Sequence, residues 1–331
     1  MNTAFAGSRS MLTHSALSES ALARVKWPDG YRFAFSIFDD TDRSTLDNAP
    51  PIYALLRDLG MRTTKSVWPL QGTRQPSVVG GSTCGDPAYL AWVQQLQREG
   101  FEIGLHNVTY HSSTREEVRA GLEKFAGFFG HPPRSLATHT DCHDGIYWGS
   151  ARVSNSHRLL YDLLTRFRQR NFGGHIEGDP HFWGDLCRDQ VDYVRNFTFP
   201  GLNTLKSCPW MPYFDPDRPW AKAWFASSEG ADCARFNHAL SEAAQDELVE
   251  EGGACVMYTH FGKGFCQDGV INPRFIELMT RLARLGGWFV PVSTLLDHIA
   301  ETRGGIHVLA RRQRARLERR WLAHKLNHGT S

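Results

Sequence analysis

Three carboxylates fall within four residues at Asp39-Asp40-Thr41-Asp42, directly after the apolar run from Tyr31 to Phe38. Like charges held this close raise one another's pKa, and a divalent cation is an economical relief. An acidic turn with one aspartate capping a helix is the simpler account of an isolated pair. Further on, Phe101-Glu102-Ile103-Gly104-Leu105 leads into His106-Asn107-Val108-Thr109-Tyr110-His111. Two imidazoles and one carboxylate can hold zinc while leaving coordination positions open for water and a substrate oxygen, which is a catalytic rather than a structural arrangement. A third apolar run, Val256 to Thr259, ends in His260. Histidine suits the delivery of a proton to a leaving amine near neutral pH, and hydrogen bonding in the loop with Phe261 and Gly262 is the plainer alternative. Position joins the three signals, because each follows a strand-like run and all share one rim if the strands are parallel.

The elements that would position these groups alternate along the chain, which is the pattern of strand–helix units around a largely parallel sheet. Strands are expected at Tyr31–Phe38, Thr64–Trp68, Phe101–Leu105, Ser135–His139, Ala254–Thr259 and Trp288–Val292. One helix starts after Ser113 and Thr114, whose hydroxyls form capping-box patterns with Glu116 and Glu117; it sets Val118, Leu122, Phe125 and Phe129 along one face. Another begins at Asn272-Pro273 and carries Ile276, Met279, Leu282 and Ala283, and Ser293 opens the last helix of the barrel. Residues 148–232, rich in Trp, Phe, Pro and Gly, break the alternation and are expected as a loop-rich insertion over one mouth. Residues 1–30 form an N-terminal extension, residues 31–303 the barrel, and residues 304–331 a basic helical tail. That tail, with Leu317, Trp321, Leu322 and Leu326 near one face, either meets an anionic membrane or a partner protein or docks on the barrel by its leucines.

Bulk properties narrow the partners. With 331 residues and 41% hydrophobic content, the chain can build one large elaborated domain. Lys+Arg of 37 against Asp+Glu of 35 gives a net charge of +2, which offers no general reason to expect a nucleic acid. No secretory signal or membrane-spanning run is evident, and seven cysteines without paired spacing fit reduced thiols, so a cytoplasmic location is expected. The lack of any C-x-x-C pair argues against a thiolate zinc site.

Taken together, the Asp39-Asp40 pair, the His106/His111 pair and His260 resemble the polysaccharide deacetylase family, also called the NodB-homology or carbohydrate esterase family 4 group, over roughly Tyr31 to Glu301. The resemblance implies a distorted (β/α) barrel and metal-dependent removal of an N-acyl group, less readily an O-acyl group, from a carbohydrate in envelope or extracellular glycan metabolism. It implies Asp39 as general base, Asp40, His106 and His111 as metal ligands, and His260 as general acid. Zinc is the first expectation for the metal, with cobalt or nickel as alternatives, and the partner is a carbohydrate substrate.

The pattern departs from the family in two places. His106 and His111 are five apart where four is usual, a rotation of about 140° on a continuous helix, so a loop or bulge must lie between them. The family's Arg-x-Pro-Tyr motif has no clear match; in its region stands His139-Thr140-Asp141-Cys142-His143-Asp144-Gly145, which is a polar turn, a set of supporting groups or an additional ligand set. His175, His181 and Asp185 are further candidates for the mouth. Two rivals stand beside the deacetylase: a non-catalytic glycan-binding or assembly protein on the same barrel, and another metal-dependent hydrolase of amides or phosphoesters.

Overall fold

Seven parallel strands close on themselves in the computed structural model, which describes residues 13–18, 22 and 25–328. They are β1 (Phe33–Asp39), β2 (Thr64–Val67), β3 (Glu102–Leu105), β4 (Ser135–Leu136), β5 (Tyr193–Phe199), β6 (Ala223–Glu229) and β7 (Ala254–Thr259). Each pairs with the next, and β7 pairs with β1 from Ala34↔Ala254 to Asp39↔Thr259, which completes the ring. β1 and β7 are buried at every position, so their sequences read as unbroken apolar runs rather than alternations. The expected (β/α) barrel is therefore present.

Its distortion has a specific source. A further strand, β8 (Gly287–Phe289), pairs in parallel with Phe33–Phe35 on β1, while β2 pairs only with Phe38 and Asp39. β8 thus wedges between β1 and β2 at the bottom of the barrel and leaves them paired directly only at the top, next to the aspartates.

Helices surround the ring, most with their apolar faces packed inward, although the helix Asn155–Leu164 leaves Leu159, Leu160, Leu163 and Leu164 exposed. The helices include α1 (Ala49–Asp58), α2 (Pro87–Arg98), α3 (Arg115–Phe129), α4 (Asn155–Leu164), α5 (Pro273–Ala283), α6 (Val292–Arg303) and α7 (Arg311–His328). The anticipated capping box is formed at α3, where the Thr114 hydroxyl accepts from Glu117 N and the Glu117 carboxylate accepts from Thr114 N. Asn272 caps α5 by accepting from Phe275 N, without the reciprocal bond.

One expectation is corrected, and one of two alternatives for the tail is selected. Residues 148–232 are not simply loops over one mouth, because they supply β5 and β6, two of the seven barrel strands. These strands carry Arg195, Asn196, Thr198, Ser227 and Ser228, all buried, and those polar residues interrupt the apolar run by which the other strands are recognised. The tail docks: Leu317, Trp321 and Leu322 on α7 are buried, and so are Arg314 and Glu318. Arg314 pairs with Asp215 and Asp217, while Glu318 accepts from the Ser154 hydroxyl at 3.0 Å and stands 2.7 Å from His157 Nδ1. The N-terminal extension lies largely outside the described residues. No helix among the described residues is long and apolar enough to cross a membrane.

Candidate metal centre

The ends of β1, β3 and β7 and the loop after β4 deliver Asp42, His106, His260 and His139 to one point inside the top rim. His106 follows the last residue of β3, and Asn107, at φ 55°, turns the chain sharply away behind it. The amide of Asn107 then ties the neighbouring loops together: its oxygen accepts from His139 N at 3.0 Å, and its nitrogen donates to Asp144 at 2.8 Å. Trp68, at the end of β2, packs against the rings of both His106 and His139, with centroids 5.8 and 5.3 Å away. On the far side, a Cβ at Gly262 would collide with the backbone of Asp42 and Arg43, so glycine there lets the His260 loop lie directly against the aspartate loop.

Three ligand-type atoms form a nearly equilateral triangle. His106 Nε2 and His139 Nδ1 are each 3.2 Å from Asp42 Oδ1 and 3.1 Å from one another. His106 Nδ1 donates to the Ala137 carbonyl at 2.9 Å, which leaves Nε2 with a lone pair aimed at the centre, the orientation that metal-bound imidazoles have. One face of a tetrahedral zinc site with ligands at 2.0–2.1 Å has edges of about 3.3 Å. The donor set, its spacing and the fixed tautomer of His106 therefore fit a divalent ion, and all three residues are buried. Beside the triangle lies an inner cavity of about 20 Å³, room for a single water, bounded also by Asp40, Arg195, Tyr258 and His260. It adjoins an outer chamber of about 410 Å³ that shares Asp42, Thr140, Trp148, Arg152, Tyr258 and His260 as wall.

The other expected site residues occupy different positions. His260 belongs to the cluster: its Nδ1 donates to Ala231 O at 2.6 Å, and its Nε2 stands 3.2 Å from Asp42 Oδ2. Asp40 lines the inner cavity but is held by Arg195 in a two-bond pair at 2.9 and 2.6 Å, and its approach to His106 is 4.0 Å to Nδ1, the nitrogen already committed to Ala137. His111 is not brought to the triangle; its Nε2 accepts from Thr73 N at 3.1 Å. The five-residue spacing has its physical outcome here, since the turn at Asn107 sends the following segment out of the barrel axis. Asp39 points away from the cavity. Its Oδ2 takes the Lys65 ammonium and the Tyr53 hydroxyl, both at 2.9 Å, and its Oδ1 accepts from Phe261 N at 2.8 Å. The ligand set available to an ion is thus Asp42, His106 and His139 rather than Asp40, His106 and His111.

Electrostatics follow these pairings. Burial works against the Asp42 charge, yet the imidazoles of His106, His139 and His260 hold its carboxyl well below the usual range. Asp40 is likewise buried and is lowered chiefly by Arg195. Asp141, His143, His175 and His181 stay outside the triangle: Asp141 accepts from Gln169, and His181 Nδ1 bonds Ser113 O. Asp185 forms a two-bond pair with Arg115.

No family model matches this chain, and no curated protein matches it. Among solved structures it is similar to a "putative polysaccharide deacetylase" from Mycobacterium smegmatis, at 14% identity over 91% of this chain and 99% of that one, TM-score 0.49. Puue allantoinase is similar at 12% identity over 82% and 91%, TM-score 0.46. A "probable Polysaccharide deacetylase" from Pseudomonas aeruginosa PAO1 is similar at 12% identity over 82% and 92%, TM-score 0.45. The barrel itself rests on the strand pairing described above.

Proposed function

We propose that this chain is a metal-dependent hydrolase that removes an N-acyl group, in the first place acetyl, from a carbohydrate of envelope or extracellular glycan metabolism. The observation that carries the proposal is the triangle of Asp42, His106 and His139, with His260 and the Asp40–Arg195 pair around the same cavity. Asp42, His106 and His139 would hold the ion, zinc first, then cobalt or nickel. When bound, such an ion supplies Lewis acidity toward a carbonyl oxygen and toward water. Asp40, clamped by Arg195 in a fixed orientation, replaces Asp39 as the carboxylate able to accept a proton at the cavity. His260, its Nδ1 proton committed to Ala231 O, turns Nε2 toward Asp42 and the cavity, the position from which a proton would reach the leaving amine. The narrow inner cavity limits water at the reacting carbonyl. Seven buried, free cysteines support the expected cytoplasmic setting.

The test is acetate release from a panel of N-acetylated amino sugars and their oligomers by zinc-loaded protein. Release by the natural chain and none by Asp42→Ala is the expected result. Stoichiometric zinc with no release from any member of the panel would overturn the hydrolase reading and favour a glycan-binding protein on the same barrel.

A further inference from the structure

Arg152 is 6% exposed, and no carboxylate among the described residues figures among the groups that shift it. Two further cations stand near it, Arg195 and Lys325, together with the phenols Tyr161 and Tyr258. Its Nε is buried without a hydrogen-bond partner. Burial lowers this guanidinium, to about 9, which still leaves it a cation at neutral pH. The group is nevertheless held firmly, with its central carbon 3.3 Å from the Trp148 ring centroid and 5.6 Å from that of Trp321. It forms part of the wall common to the inner cavity and the outer chamber, alongside Asp42 and His260.

A lone buried charge is costly unless something pairs with it. The carboxylates that line the inner cavity with it are already committed, Asp40 to Arg195 and Asp42 to the imidazoles and to Lys263 at 3.1 Å; of those in the outer chamber, Asp141 accepts from Gln169 and Asp232 pairs with Arg235. An ion at the triangle would add further positive charge on the same side. The missing counter-charge must therefore enter with a ligand, and a guanidinium held over an indole face has N–H donors that suit a planar or tetrahedral oxyanion.

We propose that Arg152 is the anion-recognition residue of the chamber, and that the acylated sugar it admits carries an oxyanion (a carboxylate, phosphate ester or sulfate ester) paired with this guanidinium. This specifies the substrate class of the hydrolase reading and rests on it for the chemistry, but not for the binding. Trp148 supplies the stacked face that holds Arg152 in place.

The experiment is calorimetric titration of the zinc-loaded full chain with N-acetylglucosamine 6-sulfate, N-acetylglucosamine 6-phosphate, glucuronate and uncharged N-acetylglucosamine. At least one charged probe should bind more tightly than the neutral sugar. Arg152→Met, which keeps length and apolar packing, should weaken that probe by about tenfold or more at unchanged zinc content, and Arg152→Lys should fall between. Equal affinity for the charged probe in the natural chain and in Arg152→Met would mean that the oxyanion sits on the metal alone, and would overturn the proposal. If Arg152→Met misfolds by circular dichroism, Arg152→Lys carries the same comparison. Charged-probe binding that depends on Arg152 without acyl release would sink the hydrolase reading and leave this one standing.

Discussion

Asp39 and Asp42 are three residues apart and both are buried, yet their neighbours differ in kind. Asp39 is met by groups that bring their own protons: an ammonium, a phenol and a backbone N–H. On its triangle, Asp42 is met by imidazoles, of which His106 has its proton turned outward to a carbonyl. The first site is complete as the chain folds; at the second, Oδ2 takes the Lys263 ammonium, but Oδ1 faces two imidazole nitrogens in a gathering that only protons or a cation can reconcile. Adjacent carboxylates at a barrel rim therefore announce a polar centre without saying which of them is the ligand; that depends on what the facing strands present.

Replacing one member of the triangle should have the largest effect. His106→Ala and Asp42→Ala are expected to lose bound zinc, measured by elemental analysis, with affinity falling well beyond the 10–100-fold that removing a supporting partner costs. Undiminished affinity in both would erase the distinction between the two aspartates. Next comes Lys65→Met, which strands the Asp39 charge in the interior. It should cost roughly 3–5 kcal/mol in denaturant unfolding while any protein that remains folded keeps its zinc. A smaller effect is expected from Asn107→Ala, which frees the His139 loop and should weaken zinc by about 10–100-fold in a chelator competition, with an unfolding cost of about 1–3 kcal/mol, below that of Lys65→Met.

Acidity sharpens the contrast most gently. Burial opposes the Lys65 charge, but Asp39 and Tyr89 beside it raise its pKa above the ordinary lysine value. Its stabilising contribution is then fully present below that ordinary value and is lost only as pH rises through the raised one. Asp42, held low, remains ionised on mild acidification, so acid should displace zinc by protonating the imidazoles. Zinc retention should decline from pH 8 toward pH 5 while unfolding free energy of the metal-free chain shows no loss attributable to Lys65. Zinc retention unchanged at pH 5 would contradict imidazole ligation.

The barrel was legible because β1, β3 and β7 are largely buried apolar runs that each end in or lead directly into a polar residue, so strand, boundary and candidate site coincide in the sequence. β5 and β6 were hidden by their own function-bearing positions. The segment Tyr193-Val194-Arg195-Asn196-Phe197-Thr198-Phe199 places a guanidinium in the barrel interior, and a register shift between Arg195 and Thr198 breaks its periodicity further. His139 and Asp42 stood within motifs already noted, as the end of a strand candidate and as the third carboxylate of a cluster. What no local pattern revealed was the choice between His111 and His139, since it depends on the left-handed turn at Asn107 and on a hydrogen bond spanning 32 residues. Arg152 carried no sequence signal, because an arginine in a polar loop looks solvated until its neighbours are known.

The docking of α7 has a reach that its basic composition conceals. Trp321 lies against Arg152, and Glu318 holds the segment carrying Ser154 and His157 just beyond it, so the last helix buttresses the chamber floor from outside. Cutting the chain before Arg311, or breaking the distant Arg314–Asp215 pair, would loosen that floor without touching a single group that faces the ligand, and the injury would register as poorer capture of substrate rather than as a missing metal.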